Sequence, residues 1–240
     1  MFCTTVQADA VESSNVVGYQ GIDISAGEAM INPSFLTANG GEYLVSDIKV
    51  EGAGGAGDVS MQNMNSDGTW SDITYYYLTL DGTGYVEDGW YRDIDGNEPV
   101  DETDTFKFGY GISFTSNDND LTLTYSGSVA KGAPVVEWTQ GDGYLGNPTP
   151  VTQYIGDILI EGAGGSGDVS CQKMLPNGTW ADVCYYYLTL DGTGYVEDGW
   201  YRDIDGNEPV DETDFLAAGE AISFTSNYND LTITFKKAID

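Results

Sequence analysis

Residues 75–104 and 185–214 carry one thirty-residue sequence, YYYLTLDGTGYVEDGWYRDIDGNEPVDETD, twice at an offset of 110, inside a weaker self-similarity that covers most of the 240-residue chain. A period of that length is too long for a solenoid unit and suits an independently folding β domain. The chain is therefore expected to hold two tandem modules, residues 14–128 and 129–240, behind a short segment at 1–13. An active site is seldom needed twice in nearly identical form. Filaments, coats, adhesins and multivalent binders, by contrast, gain reach or avidity from each added copy. The duplication points away from an enzyme.

Glycine and turn dipeptides recur between short runs rich in Val, Ile, Thr, Tyr and Phe, and no segment holds a helical period. This punctuation predicts an all-β fold of two tandem β-sandwich domains, immunoglobulin-like or jelly-roll-like. Strands are expected near 15–24, 46–51, 58–64, 69–80, 85–92, 111–116 and 120–126. The second set lies near 134–139, 157–161, 168–174, 179–190, 195–202, 221–226 and 230–236. Ile112 to Ser116 and Leu121 to Tyr125 alternate apolar and polar residues, so one face is buried and the other wet. Asn32-Pro33 and Asn147-Pro148 are expected to mark one turn in each copy. The stretch SGSVAKGAP at 126–134 is the domain boundary, and so short a linker predicts sandwiches set end to end.

In the second repeat Asn177-Gly178 separates two strand-like runs and predicts a two-residue type I′ hairpin loop. That register faces Cys171 with Cys184 in a non-hydrogen-bonded pair, within disulfide reach. Met61 and Thr74 are the matching pair in repeat 1. Cys171–Cys184 is accordingly the expected disulfide, with two buried free thiols as the other reading.

The chain carries 39 acidic and 8 basic residues and no histidine, for a formal charge of −31. Nucleic acid is an improbable partner for such a surface, because its binding needs clustered Lys and Arg. Histidine-dependent triads and histidine-ligated zinc are excluded. No run of eighteen apolar residues is present, so no membrane span is expected. The acidic loop DIDGNEPVDETD opens in the Asp-x-Asp-Gly-Asn order of calcium loops, though its glycine and proline positions depart from an EF-hand. Calcium is the one cofactor the pattern admits, with Asp93, Asp95, Asn97 and Asp101, and Asp203, Asp205, Asn207 and Asp211, as candidate ligands; a solvated turn is the competing reading.

Aromatic residues supply a second candidate site. Tyr75, Tyr77, Trp90 and Tyr91, with Tyr185, Tyr187, Trp200 and Tyr201, are candidates for stacking on a glycan or for subunit contacts, against packing in the core or rim. At the N-terminus two readings stand open. Val6-Gln7-Ala8 fits the small-x-small pattern before a signal-peptidase cut, which would remove Cys3. Alternatively Cys3, Thr4, Val6 and Val11 belong to an extended arm that adds a strand to a neighbouring copy.

The opening ESSNVVGYQ, the Asn-Pro turn, the Gly-Trp-Tyr segment and the closing LTLTYSGSV resemble a family of uncharacterised secreted β-repeat proteins of environmental bacteria. The resemblance implies export, an extracellular or cell-surface place and a β-rich repeat fold, and it assigns no catalytic residue. A Pro-Gly-x-Gly-Phe step frequent in that family is replaced here by Phe108 to Gly111 and Ala218 to Ala221. Together these features predict an exported, non-enzymatic structural protein, the subunit of an extracellular filament or surface layer and its own principal partner. A carbohydrate-binding or adhesive surface module acting as a monomer is the alternative.

Overall fold

The structure is a computed structural model that describes residues 17–36, 42–55, 57–65, 67, 69–79, 87–175, 179–189 and 197–238. The arm candidates Cys3, Thr4, Val6 and Val11 lie outside the described residues. The protein is nearly all β, of sandwich type. Repeat 1 contributes β1 (Val17–Ile24), β2 (Gly27–Ile31), β3 (Tyr43–Leu44), β4 (Lys49–Glu51), β5 (Val59–Met64), β6 (Trp70–Leu78), β7 (Gly89–Tyr91), β8 (Thr105–Phe106), β9 (Ile112–Ser116) and β10 (Leu121–Ser128). Repeat 2 contributes β11 (Val135–Trp138), β12 (Gly141–Gly146), β13 (Gln153–Tyr154), β14 (Leu159–Glu161), β15 (Val169–Met174), β16 (Trp180–Leu188), β17 (Gly199–Tyr201), β18 (Phe215–Leu216), β19 (Ala221–Ser226) and β20 (Leu231–Thr234).

Each repeat builds the same three antiparallel sheets. In repeat 1 the orders are β1-β10-β4, β2-β9-β5-β6-β7 and β3-β8; in repeat 2 they are β11-β20-β14, β12-β19-β15-β16-β17 and β13-β18. The period-two alternation does the work expected of it. Ile112 and Phe114 from β9 face Leu121, Leu123 and Tyr125 from β10, all buried, while the intervening threonines and serine stay partly wet. Ile222, Phe224, Leu231 and Ile233 repeat this in the second, separate core. Each such side chain contributes roughly 1.5–3 kcal/mol by leaving water. The strands missing from the sequence reading, notably β2 and β12, are glycine-rich or polar, GEAMI and GDGYLG. They are strands because β9 and β19 offer them an edge, and no local propensity marks them.

The hairpin register corrects the disulfide expectation. Asn65 N–H donates to Thr69 O and Leu175 N–H to Thr179 O, both at 2.7 Å, so three residues rather than two close each loop. Farther out the ladder shifts between Gln172 and Met174, leaving Cys171 opposite Tyr185 and Cys184 opposite Gln172. The two sulfurs therefore belong to opposite faces of the sheet, and both thiols are free, Cys171 buried and Cys184 partly exposed. Met61 likewise faces Tyr75, not Thr74. A glutamine stabilises the irregularity in each copy: Gln62 Nε2 donates to Ser71 O and Gln172 Nε2 to Ala181 O, both at 2.7 Å, occupying carbonyls on the bulged strand.

The repeats are joined by far more than their short linker. Superposing the strand ladders equates Ile31 with Leu145 and Asn32 with Gly146, an offset of 114 that becomes 110 after the loop before β3. In these terms the junction is reciprocal. Ile31 bridges Glu220 as Leu145 bridges Tyr110. Asn32 N–H donates to Gly219 O, and Gly146 N–H to Gly109 O, each at 2.9 Å. Gly109, at φ +80°, lies against Val136, and its counterpart Gly219, at φ +79°, lies against Ile22, the counterpart of Val136. Equivalent residues meet each other at the centre, where Asn32 occupies the space a side chain at Gly146 would need. This is the pattern of a two-fold interface drawn inside one chain. The two Asn-Pro steps are consequently one residue out of register. Both asparagines are buried at the junction, with Asn32 Nδ2 donating to Asn147 O at 2.6 Å.

Candidate functional site

Each acidic loop folds around an arginine. Asp104, buried in the sheet interior, accepts the Tyr75 hydroxyl at 3.1 Å and Arg92 Nε at 2.9 Å on Oδ1. Its Oδ2 accepts the Asp101 N–H at 2.7 Å and meets Arg92 Nη2 at 2.8 Å. Asp214, Tyr185, Arg202 and Asp211 repeat the arrangement. Burial, and then the charge of Asp104, push the Tyr75 hydroxyl well up, so it stays a donor.

The calcium candidates are placed as follows. Asp101 turns one oxygen to the hydroxyl and N–H of Thr103 and the other to Arg92 at 3.1 Å, and these partners hold its carboxyl below the usual range in that order. Asp211 has the same partners in Thr213 and Arg202. Asp93 accepts the Asn97 N–H at 3.0 Å and Asp203 the Asn207 N–H at 2.8 Å, closing the turns from within. Asp95, Asn97, Asp205 and Asn207 are exposed at the turn tips. Among the described residues no three acidic or thiol groups gather as cation ligands would.

A second carboxylate constellation lies outside the acidic loops. Asp58 is buried below the glycine loop at 52–57, where its Oδ2 accepts Gly54 N–H at 2.7 Å and Asn119 Nδ2 at 2.8 Å, and its Oδ1 accepts Asp118 N–H at 2.8 Å. Asp168 does the same with Gly164, Tyr228 and Asn229. Burial alone would raise the Asp58 carboxyl; the hydrogen bonds outweigh it and hold the group below the usual range. The readable signal was GAGGxGDVS, a lone acid closing a glycine run in both copies. These sites tie two loops together and use their oxygens doing so.

The aromatic candidates turn out to be interior. Tyr75, Trp90, Tyr91, Tyr185, Trp200 and Tyr201 are buried. Tyr77 packs edge-on to Trp90 at 5.2 Å and Tyr187 to Trp200 at 5.4 Å, and the indole N–H groups of the two tryptophans donate to Ile48 O and Ile158 O. The six buried residues offer no open ring face, because YYY and GWY build the β6-β7 and β16-β17 walls of the cores, while Tyr77 and Tyr187 are half-buried at the rim.

What the fold leaves open is a strand edge. β1 pairs over all eight residues with β10, from Val17 opposite Ser128 to Ile24 opposite Leu121, and no other described strand pairs with it. Its outward residues Val17 and Tyr19 are 72% and 75% exposed, the largest apolar exposures among the described residues. The counterpart β11 is four residues long, so among the described residues an eight-residue edge occurs once. No helix among the described residues is long and apolar enough to cross a membrane. No protein-family model, curated protein or solved structure matches the chain.

Proposed function

We propose that the protein is an exported, non-enzymatic structural subunit that assembles through the free edge of β1 into an extracellular filament or surface layer, the 1–13 segment of a neighbouring copy adding beside that edge. Export rests on the sequence resemblance. The observation that carries the assembly reading is the edge of β1, unpaired among the described residues, with Val17 and Tyr19 outward: such an edge offers backbone donors and acceptors to an incoming strand. Natural monomers blunt edges of this length with charge, proline or cover, and β1 has no proline and a single charged residue, Asp23, near its end. The junction between the repeats supports the choice of surface, because a reciprocal interface closes on itself and cannot propagate. Growth then needs a different, one-sided surface, and β1 occurs once per chain.

At −31 the subunits repel, so assembly is expected to strengthen as salt rises and the screening length falls below about 10 Å. The test is electron microscopy of the full chain across a salt series, beside V17K/Y19K and a variant lacking residues 1–13. Fibres or sheets in the parent, lost in both variants while their circular dichroism is kept, support the reading. Single particles at every salt concentration overturn it. So do discrete dimers, which mean that β1 pairs with its own copy and closes.

A further inference from the structure

The reciprocal junction creates two equivalent grooves, one on each side of its pseudo-two-fold axis, and the described residues fill only one of them. In the filled groove Trp138 stacks on Tyr110, with ring centroids 5.0 Å apart and planes 8° from parallel. The Tyr110 hydroxyl donates to Glu137 O at 2.6 Å. Trp70 covers Tyr144 at 5.9 Å, and what remains is a cavity of about 280 Å³ lined by repeat 1 alone.

In the other groove three of these four positions hold smaller or non-aromatic side chains, and the fourth keeps a tryptophan, Trp180. Ile24 stands for Trp138, Glu220 for Tyr110 and Met30 for Tyr144, by the strand registers that define the repeats. The result is an open cleft of about 600 Å³, mostly apolar, bounded by Ile22, Ile24 and Met30 from repeat 1 and by Met174, Leu175 and Phe215 from repeat 2. Leu175 and Phe215 are about two-fifths exposed at its wall. A single ion pair, Lys173 Nζ to Glu220 Oε2 at 3.2 Å, stands among these apolar groups, and the same carboxylate oxygen accepts the Ala217 N–H at 2.8 Å.

We propose that this open groove is a binding site for a compact phenolic molecule, which takes the place that Tyr110 takes in the filled twin. The twin supplies both the shape and the polar contact. A flat ring fits the added room, since Ile24 is smaller than the indole and Glu220 carries no ring, and the cleft is about 600 Å³ against about 280 Å³ in the twin. The Asp23 carbonyl is the counterpart of the Glu137 carbonyl that receives the Tyr110 hydroxyl, and Asp23 lines the cleft. The volume lies in the range of small-molecule pockets, and apolar cavities of smaller size already take up single aromatic rings. Because the duplication began with identical halves, one set of partners is self-supplied and the other is left for a ligand.

The probe is p-cresol, titrated calorimetrically into the full chain and followed by methyl-resolved NMR. One saturable site per chain is expected, with ring-current shifts confined to Ile22, Ile24, Met30 and Met174. The variant I24W/E220Y rebuilds the filled twin in the open groove and is expected to weaken binding by more than about tenfold while its circular dichroism is kept. The absence of saturable binding overturns the proposal, as do shifts spread over the surface or undiminished binding by the folded variant. Should the variant not fold, the shift map of the unaltered chain decides alone.

Discussion

Replacing Asp58 by asparagine tests whether the loops around Gly54 and Asn119 are held by a single buried charge. The carboxylate receives three donors at 2.7–2.8 Å from Gly54, Asp118 and Asn119, and its residue is 4% exposed. Hydrogen bonds to a charged group contribute about 1.5–3 kcal/mol each, and stranding a buried donor costs about as much, without simple additivity. Asparagine keeps one acceptor oxygen but sets an NH2 group against at least one donor, so a net loss of about 3 kcal/mol is expected. If the reciprocal junction makes the repeats melt together, each kcal/mol moves the midpoint by about 2–4 °C, and D58N should melt about 6–12 °C below the parent at pH 7. D168N, in the twin site, should match it.

The pH dependence sharpens the test. The folded Asp58 carboxyl is held below its unfolded value, so its contribution is full above about pH 4 and disappears as the pH falls through the lowered folded value. The gap between D58N and parent, measured calorimetrically at matched pH, should therefore narrow on acidification below pH 4. A midpoint within 2 °C or so of the parent at pH 7, or a gap that widens in acid, would refute the reasoning.

Gly219→Val forces a β-branched residue into φ +79° and against Ile22, so it should loosen the junction and split one calorimetric transition into two; a single transition at the parental midpoint would mean the repeats are not coupled there. Cys171 and Cys184 should both alkylate in denaturant without any reductant, and reductant should leave the melting point unchanged, since the register separates them; protection from alkylation would place a disulfide where the ladder forbids one. Native Cys171 should resist the same reagent, because burial pushes its thiol up and excludes the attacking partner.

The sequence by itself determined the class of fold and its repetition. The alternation in Ile112 to Ser116 and Leu121 to Tyr125 has period two and admits one buried face, so those strands were legible residue by residue. The duplication was legible because identity over thirty residues needs no structural knowledge. The hairpin register was not, because one extra loop residue and a bulge capped by Gln62 or Gln172 each move the pairing, and neither has a local signature strong enough to outweigh Asn-Gly. The aromatic segments show the same limit. YYY and GWY state that large rings are present, but whether a ring faces water or the core depends on which sheet packs above it. Only tertiary structure decided that Asp104 and Asp58 serve as acceptors inside the fold, since beside one local donor each they draw on Arg92, 12 residues from Asp104, and Asn119, 61 residues from Asp58. It alone also decided that two nearly identical repeats meet by a two-fold contact with one groove filled and one open. Sequence identity between copies says that they share surfaces, and the choice of which surfaces meet belongs to long-range packing, in which Gly109, Gly219 and Trp138 count for more than the thirty residues the copies share.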